Sequence, residues 1–439
     1  MDEQTFWGRL VPLPTAVARA LPTDQFQQQA AIEVGPSTLH CNRCQTDCEK
    51  SGHQLPSGDY YCRNCLNLGR VDSSMQLVSQ AEPNAFPPTP NPLVWSGKLT
   101  AQQQACARQV QRGFQAHRNQ LLWAVTGAGK TEISFPGIAW ALQHGLRVAV
   151  AAPRVDVCGE LYPRYQAVFP TIPIALLHGH TETGYVYRQL TIGTTHQLLR
   201  FQAAFDVLIL DEVDAFPYAN NPMLEQAAHR ALKPTGSCLL MTATPSFRLQ
   251  RKYQGQTAYL PRRFHGHPLP QINWRVAFRW RKQLQNGQLP WVLRRLIHAK
   301  VQDRHPFLLF VPRIRDLDPI DRYLRRHVVG TPCWETVYAG DPARINKVER
   351  MRNREVLFLV TTTILERGVT FPGIDVIILG GDDQVFSVAS LVQMAGRVGR
   401  KSTRPTGQVD CIVSGYAKNV RHARHQIAQM NRKGACADA

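Results

Sequence analysis

Residues 124–131 read Ala-Val-Thr-Gly-Ala-Gly-Lys-Thr, which departs from the phosphate-loop pattern G-x-x-x-x-G-K-[ST] only at its first position. A phosphate needs a loop whose backbone N–H groups point inward, and a helix N-terminus behind that loop adds its dipole. In such a loop Thr126, Gly127, Ala128 and Gly129 surround the phosphates, Lys130 reaches the β and γ phosphates, and Thr131 holds Mg2+. Eighty-one residues after Lys130, the apolar run 207–210 ends in Asp211-Glu212-Val213-Asp214. Asp211 suits a Mg2+ ligand, and Glu212 suits the group that orients and deprotonates an attacking water. A second apolar run ends in Met241-Thr242-Ala243-Thr244-Pro245, whose small hydroxyls, Thr242 first, are placed to bond the acids and sense loss of the γ-phosphate. The stretch 393–400, Gln-Met-Ala-Gly-Arg-Val-Gly-Arg, puts Arg397 and Arg400 on one side of a helix end behind Gln393. Guanidinium groups there would stabilise charge on a transferring phosphoryl group.

A different chemistry sits near the start of the chain. Cys41 and Cys44 form one C-x2-C pair, and Cys62 and Cys65 form another seventeen residues later. That spacing is the signature of a four-thiolate zinc site, in which two knuckles close a tetrahedron. Four protein ligands leave no open position, so the metal would be structural, folding a module too small to fold unaided. Cys48, His40 and His53 are spare ligands nearby, and the exact set stays open. Six other cysteines are scattered singly from Cys106 to Cys436, as in a reducing compartment.

These groups need strands and turns to hold them. Apolar strands are expected at 120–125, 147–152, 173–177, 207–210 and 238–241, then at 307–311, 336–339, 356–360, 375–379 and 409–413, with helical stretches between several of them. Near-continuous apolar strands indicate burial on both faces, hence an α/β fold with mostly parallel sheets. The expected organisation is a flexible arm over 1–35, a zinc module over 36–80, and a Pro-rich linker over 81–94. A first lobe over 95–247, a basic aromatic connector over 248–285 and a second lobe over 286–439 follow. On this reading the zinc module is separable, and a chain lacking residues 1–90 would still hydrolyse ATP.

The net charge of +19 is not evenly spread. Residues 1–98 carry seven Lys and Arg against nine Asp and Glu, whereas residues 246–439 carry thirty-three against fourteen. Residues 248–304 hold thirteen basic side chains and one acid, Asp303, interleaved with Tyr253, Tyr259, Phe264, Trp274, Phe278, Trp280 and Trp291. Such a field favours a polyanion, and the aromatics could stack on bases. The apolar runs are far shorter than the roughly 20 residues of a membrane helix, and the acidic start Met1-Asp2-Glu3 is unlike an export signal, so a cytoplasmic location is expected.

In order, AVTGAGKT, DEVD, TATP, TTTILERGVTF and QMAGRVGR resemble the motor of superfamily 2 helicases and translocases over about residues 95–415. The resemblance implies two RecA-like lobes with ATP in the cleft. It matches Gln103, in Leu99-Thr100-Ala101-Gln102-Gln103, to the adenine-reading glutamine. Pro153, Arg154, Thr194 and Thr195 match first-lobe segments that grip a nucleic-acid backbone. Thr361 and Thr362 match the second-lobe strand contacts, and Gly368 belongs to its coupling motif. Thr370 departs from the acid that many members place there.

The four-Cys module ahead of this motor, with DEVDAFPYANNPML and TTTILERGVTFP, is similar to the ComFA family of late competence proteins. That resemblance implies a single-stranded-DNA-stimulated ATPase at the inner face of the membrane uptake channel. Its implied partners are that channel and a ComFC-like protein of the phosphoribosyltransferase family; self-association is left open. Two alternatives compete. A replication-restart helicase resembling PriA also joins such a motor to zinc, but carries its cysteines beyond the first lobe. A non-enzymatic nucleic-acid scaffold would not be expected to keep Lys130, Thr131, Asp211, Glu212, Arg397 and Arg400 together.

Overall fold

A computed structural model describes residues 2–179, 184–328, 333–369, 371–400 and 402–436. They form two compact units, one of residues 2–122 and 130–258, the other of residues 123–129 and 259–436. Each is built on a sheet of the α/β kind that the apolar runs imply.

The first sheet has seven strands in the order Thr257–Leu260, Gln120–Ala124, Leu232–Thr242, Phe205–Leu210, Val148–Ala152, Leu190–Thr194 and Ile174–Leu177. Phe205–Leu210 runs parallel to both Val148–Ala152 and Leu232–Thr242, so their C-terminal ends emerge at one edge. Val148–Ala152 is buried at every residue, the mark of a strand covered on both faces. The second sheet has six strands, Ile272–Val276, Val409–Val413, Asp375–Leu379, Phe307–Phe310, Phe358–Thr361 and Trp334–Val337, and every neighbouring pair is parallel.

Three strands of these two sheets lie outside the sequence expectation. Leu190–Thr194 interrupts its apolar Leu190 and Ile192 with Thr191, Gly193 and Thr194, and Ile272–Val276 is a half-exposed edge. Thr257–Leu260 and Ile272–Val276 both come from the stretch read as a basic connector, which is thereby divided between the two sheets. Its aromatics divide too: Trp280 is fully buried in the second core and Tyr253 is buried in the first, while Phe278 and Trp291 are exposed.

The N-terminal region is the main correction. Residues 1–35, expected as a flexible arm, contribute Val11–Pro14 and Gln27–Ala30 to either side of Met75–Ser79, while Ile32–Val34 pairs with Thr38–Cys41. Phe6, Leu13, Ala18, Phe26 and Val78 make a small core of their own. Glutamine-rich Gln27–Ala30 pairs through its backbone, and Gln28 Nε2 donates to Ala18 O at 2.8 Å. Polar side chains concealed a strand whose stability comes from ladder bonds.

The four-Cys module packs within the first unit. Leu10, Ile32, Leu39, Cys41, Cys44, Cys62, Cys65, Val71 and Leu77 share one apolar cluster with Leu198, Phe201, Phe205, Leu208 and Leu224 of the first sheet and its helices. The Pro-rich stretch after it has no regular structure but is tethered. Lys233 Nζ donates to Asn84 Oδ1 at 2.8 Å and pairs with Glu82, and Phe86 stacks on Tyr187 with centroids 4.5 Å apart. Among the described residues no helix is long and apolar enough to cross a membrane.

Candidate functional site

The loop at residues 125–129 links the strand Gln120–Ala124 to the helix Lys130–Gln143. Gly127 and Gly129 have φ of 77° and 84°, a left-handed region that a side chain there would strain. Lys130, first in the helix, lies with its Nζ 3.2 Å from Asp211 Oδ1. Thr126 Oγ1 is buried with no hydrogen-bond partner among the described residues. An amide-lined turn, a lysine, an unused hydroxyl and a carboxylate fit a nucleotide phosphate and Mg2+. Thr131 is buried beside them at the start of the helix.

Asp211 directly follows the strand Phe205–Leu210, and its N–H donates to Ala151 O at 2.9 Å, continuing the ladder for one residue. Glu212 then turns sharply, with φ of 53°, while its N–H donates to Asp211 Oδ1 at 2.8 Å. A left-handed non-glycine residue costs energy and persists where the surroundings impose it, which suits a group held for chemistry. The neighbouring loop is linked through Thr244, whose hydroxyl donates to Asp214. Thr242 Oγ1 instead accepts the Thr244 N–H at 2.9 Å, so Thr244 makes the hydroxyl-to-acid link expected first of Thr242. Gln103 Oε1 accepts the Thr100 N–H at 2.8 Å in a capping box, so this oxygen of the expected adenine reader caps its own helix.

In the second unit Gln393 and Arg397 are buried and Arg400 is half-buried. Arg397 Nε donates to Glu366 O at 3.0 Å, joining the arginine stretch to the segment after Phe358–Thr361. Gly368 has φ of 75° in that segment, and Thr370 lies outside the described residues. Arg263, which sequence reading took as part of a polyanion-binding stretch, is buried and structural. Its Nη1 donates to the carbonyls of Val398 and Gly399, each at 2.6 Å, and its Nη2 to Gly396 O at 3.2 Å. Burial, with Arg400 nearby, pulls its pKa down to about 10. Nothing in the local sequence distinguishes Arg263 from its basic neighbours.

The residues matched to nucleic-acid contacts sit at strand ends, with differing access. Thr194 ends the strand Leu190–Thr194 and Thr195 opens the next short helix; both are buried. Arg154 caps the helix Val155–Val168 after buried Pro153. The Thr361 hydroxyl is fully buried and donates to Val337 O at 2.9 Å, so it braces a neighbouring strand and presents nothing to a ligand. Thr362 follows it at the strand end.

The four cysteines converge, with all their sulfurs within 4.8 Å of one another. Cys41 Sγ lies 3.8 Å from Cys65 Sγ, and Cys44 Sγ lies 3.5 Å from Cys62 Sγ. Four sulfurs at about 2.3 Å from a zinc ion make tetrahedral edges of about 3.8 Å, so the cluster fits that ion. The spare ligands turn elsewhere: His40 Nδ1 is 2.7 Å from Asp47 Oδ1, and Cys48 Sγ is 3.6 Å from His53 Nδ1. Arg43, between the first two cysteines, is 1% exposed and donates from Nε to Cys65 Sγ at 3.3 Å.

Three protein families match along the chain. The Competence protein ComFA N-terminal domain covers residues 11–79, the Type III restriction enzyme res subunit covers 97–247, and the Helicase conserved C-terminal domain covers 289–402. Competence protein ComFA of Bacillus subtilis is 38% identical over 412 residues, 92% of this chain and 88% of that protein. The chain belongs to the ComFA family. ComFA of Streptococcus pneumoniae is 37% identical over 90% of this chain and 91% of its own length. Replication restart protein PriA of Synechocystis matches only 39% of this chain, at 28% identity. Among solved structures, a leucine-to-valine variant of S. cerevisiae Dbp5 bound to RNA and ADP BeF3 superposes with a TM-score of 0.52 at 15% identity, covering 76% of this chain and 91% of that one; this likeness concerns the fold. This ComFA-family chain is therefore a competence-related superfamily 2 helicase or translocase, whose helicase domains imply ATP, Mg2+ and a nucleic-acid partner.

Proposed function

We propose that this chain is an ATP-driven translocase of single-stranded DNA that helps draw transforming DNA into the cytoplasm. The observation that carries the reading is the similarity to ComFA proteins over nine-tenths of the chain, four-Cys module and motor together. Bound Mg2+ would neutralise charge on the β and γ phosphates. Lys130 and the N–H groups of 127–131 hold the phosphates, Thr131 and Asp211 hold the metal, and Glu212 takes the proton of the attacking water. Gln393, Arg397 and Arg400 serve hydrolysis. The strong positive charge of residues 246–439 supports a strand as partner, with Arg154 and Thr362 among its contacts. A ComFC-like phosphoribosyltransferase-family protein and the membrane uptake channel are the proposed partners, and any membrane association runs through them.

The test is steady-state ATP hydrolysis without nucleic acid and with single-stranded DNA, duplex DNA or single-stranded RNA, at two salt concentrations, beside Glu212→Gln. Stimulation by single-stranded DNA alone, weakened by salt and absent in Glu212→Gln, is the expected result. Equal stimulation by RNA, or none by any polymer, would overturn the reading.

A further inference from the structure

Arg230 lies on the helix Pro222–Ala231, which packs on the first sheet. Its guanidinium donates only to main-chain carbonyls: Nη1 to Asn42 O at 3.1 Å, Nη2 to Arg43 O at 2.6 Å and Leu199 O at 2.9 Å, and Nε to Phe201 O at 3.3 Å. Asn42 and Arg43 are the two residues between Cys41 and Cys44, so this fork grips the first cysteine knuckle. A second arginine secures the other knuckle, with Arg200 Nη2 donating to Leu68 O at 2.9 Å at the end of the short helix that carries Cys65.

Among the described residues neither Arg43 nor Arg230 pairs with a carboxylate, although Arg43 is 1% exposed and burial pulls the pKa of Arg230 down to about 10. A desolvated guanidinium needs a counter-charge nearby. The nearest source is the cysteine cluster, since four thiolates around a divalent cation carry two negative charges. Two arginines match that charge, one from within the knuckle and one from the motor.

We propose that Arg43 and Arg230 are positioning residues of the metal centre, balancing its charge and fastening its first knuckle to the helix Pro222–Ala231, so that metal occupancy sets the stability of the ATP-binding unit. The shared apolar cluster gives this coupling a continuous path, because Cys41 and Cys44 pack in the same core as Leu224 and Ala228 of that helix. Nothing in this proposal depends on which nucleic acid is moved.

The test uses the full chain and two readouts that are independent of ATP hydrolysis. Zinc content and the rate of zinc release to a chromogenic pyridylazo chelator are measured for the unaltered protein, Arg230→Met and Arg230→Lys. Outer partners of metal ligands change affinity by about 10- to 100-fold, so release is expected to quicken at least about tenfold in Arg230→Met and less in Arg230→Lys, which keeps the charge but loses the fork. Hydrogen exchange of the unaltered chain, before and after chelation, is the second measurement and serves even if Arg230→Met does not fold. Faster exchange in residues 199–201 and 222–231 after chelation supports the coupling. Equal release rates, unchanged exchange in those residues, or a chain that retains no zinc would each overturn it.

Discussion

Lys130 Nζ lies 3.2 Å from Asp211 Oδ1, joining the lysine of the phosphate loop to the carboxylate at the end of the strand Phe205–Leu210. Both side chains are largely removed from solvent, so little water lies between them to screen the pair. Lys130→Ala removes a phosphate-binding charge and leaves Asp211 without it. ATP hydrolysis should fall by at least about 100-fold, as when a preorganised charge is lost from a phosphoryl-transfer site. Steady-state turnover measures this, and a normal rate in Lys130→Ala would refute the assignment.

Deleting residues 1–90 should abolish hydrolysis together with folding of the first unit. Leu10, Leu39, Val71 and Leu77 are almost wholly buried, in a cluster that includes Phe205 and Leu208 of the acid-bearing strand. Removing them exposes an apolar face of that sheet. Soluble yield and thermal unfolding are the checks, with loss of solubility or a fall of about 10 °C or more expected. A stable, active deletion would show the module to be an independent domain.

Arg263→Ala should impair the arginine stretch without touching it. The Val398 carbonyl loses its donor, at a cost of about 1–3 kcal/mol, while Gly399 O keeps His265 Nε2 at 3.0 Å and Gly396 O keeps Arg400 Nε at 3.3 Å. Gly399 leaves little room for adjustment, since it holds φ of 70° and a Cβ there would fall 2.2 Å from Pro405 O. Exchange of the amides in 396–400 should quicken and turnover should drop about tenfold or more. Unchanged exchange and turnover would count against this role.

Lys300 and Asp375 give a pH dependence with a defined sign. Burial by itself would raise the Asp375 pKa, but Lys300 Nζ at 2.6 Å, the Gln408 N–H at 3.0 Å and His305 hold its carboxyl below the ordinary carboxylate range. Because the folded pKa is depressed, its contribution to stability is present above the unfolded value of about 3.9 and is lost as pH falls through the folded one. Lys300→Met leaves Asp375, 3% exposed, with Arg404 Nη2 at 3.1 Å and the Gln408 N–H as its remaining partners, and losing the charged hydrogen bond should cost the second unit about 1.5–3 kcal/mol at pH 7. The loss should shrink as pH falls below about 3.9, where the unfolded chain's carboxyl begins to take up its proton. Denaturant unfolding at pH 7 and pH 3.5 reads both, and equal losses at the two pH values would disprove the linkage.

Much of the fold was legible because buried parallel strands are apolar at almost every residue. Asp375–Leu379 and Val409–Val413 run where the pattern places them. The glycines of 127 and 129 and the acids after Leu210 were legible because chemistry restricts residue type at turns. Gln27–Ala30 was not, since its pairing partner Met75–Ser79 lies far along the chain and the ladder bonds leave no trace in side-chain type. Arg43, Arg230 and Arg263 escaped for a related reason. Each donates to main-chain carbonyls of distant residues, and a carbonyl has the same chemistry whatever residue bears it.

The strand Gln120–Ala124, which leads into the phosphate loop, lies between Leu232–Thr242 and Thr257–Leu260 in its sheet. Both of its neighbours are made more than about a hundred residues later, and at roughly 5–20 residues per second the ribosome supplies the second about 6–26 s after the loop has emerged. During that interval an apolar strand with two unsatisfied edges is exposed on the nascent chain, so the sheet that leads into the phosphate loop closes late. Synthesis rate and chaperone supply, as well as the finished structure, therefore bear on how many chains reach an active state.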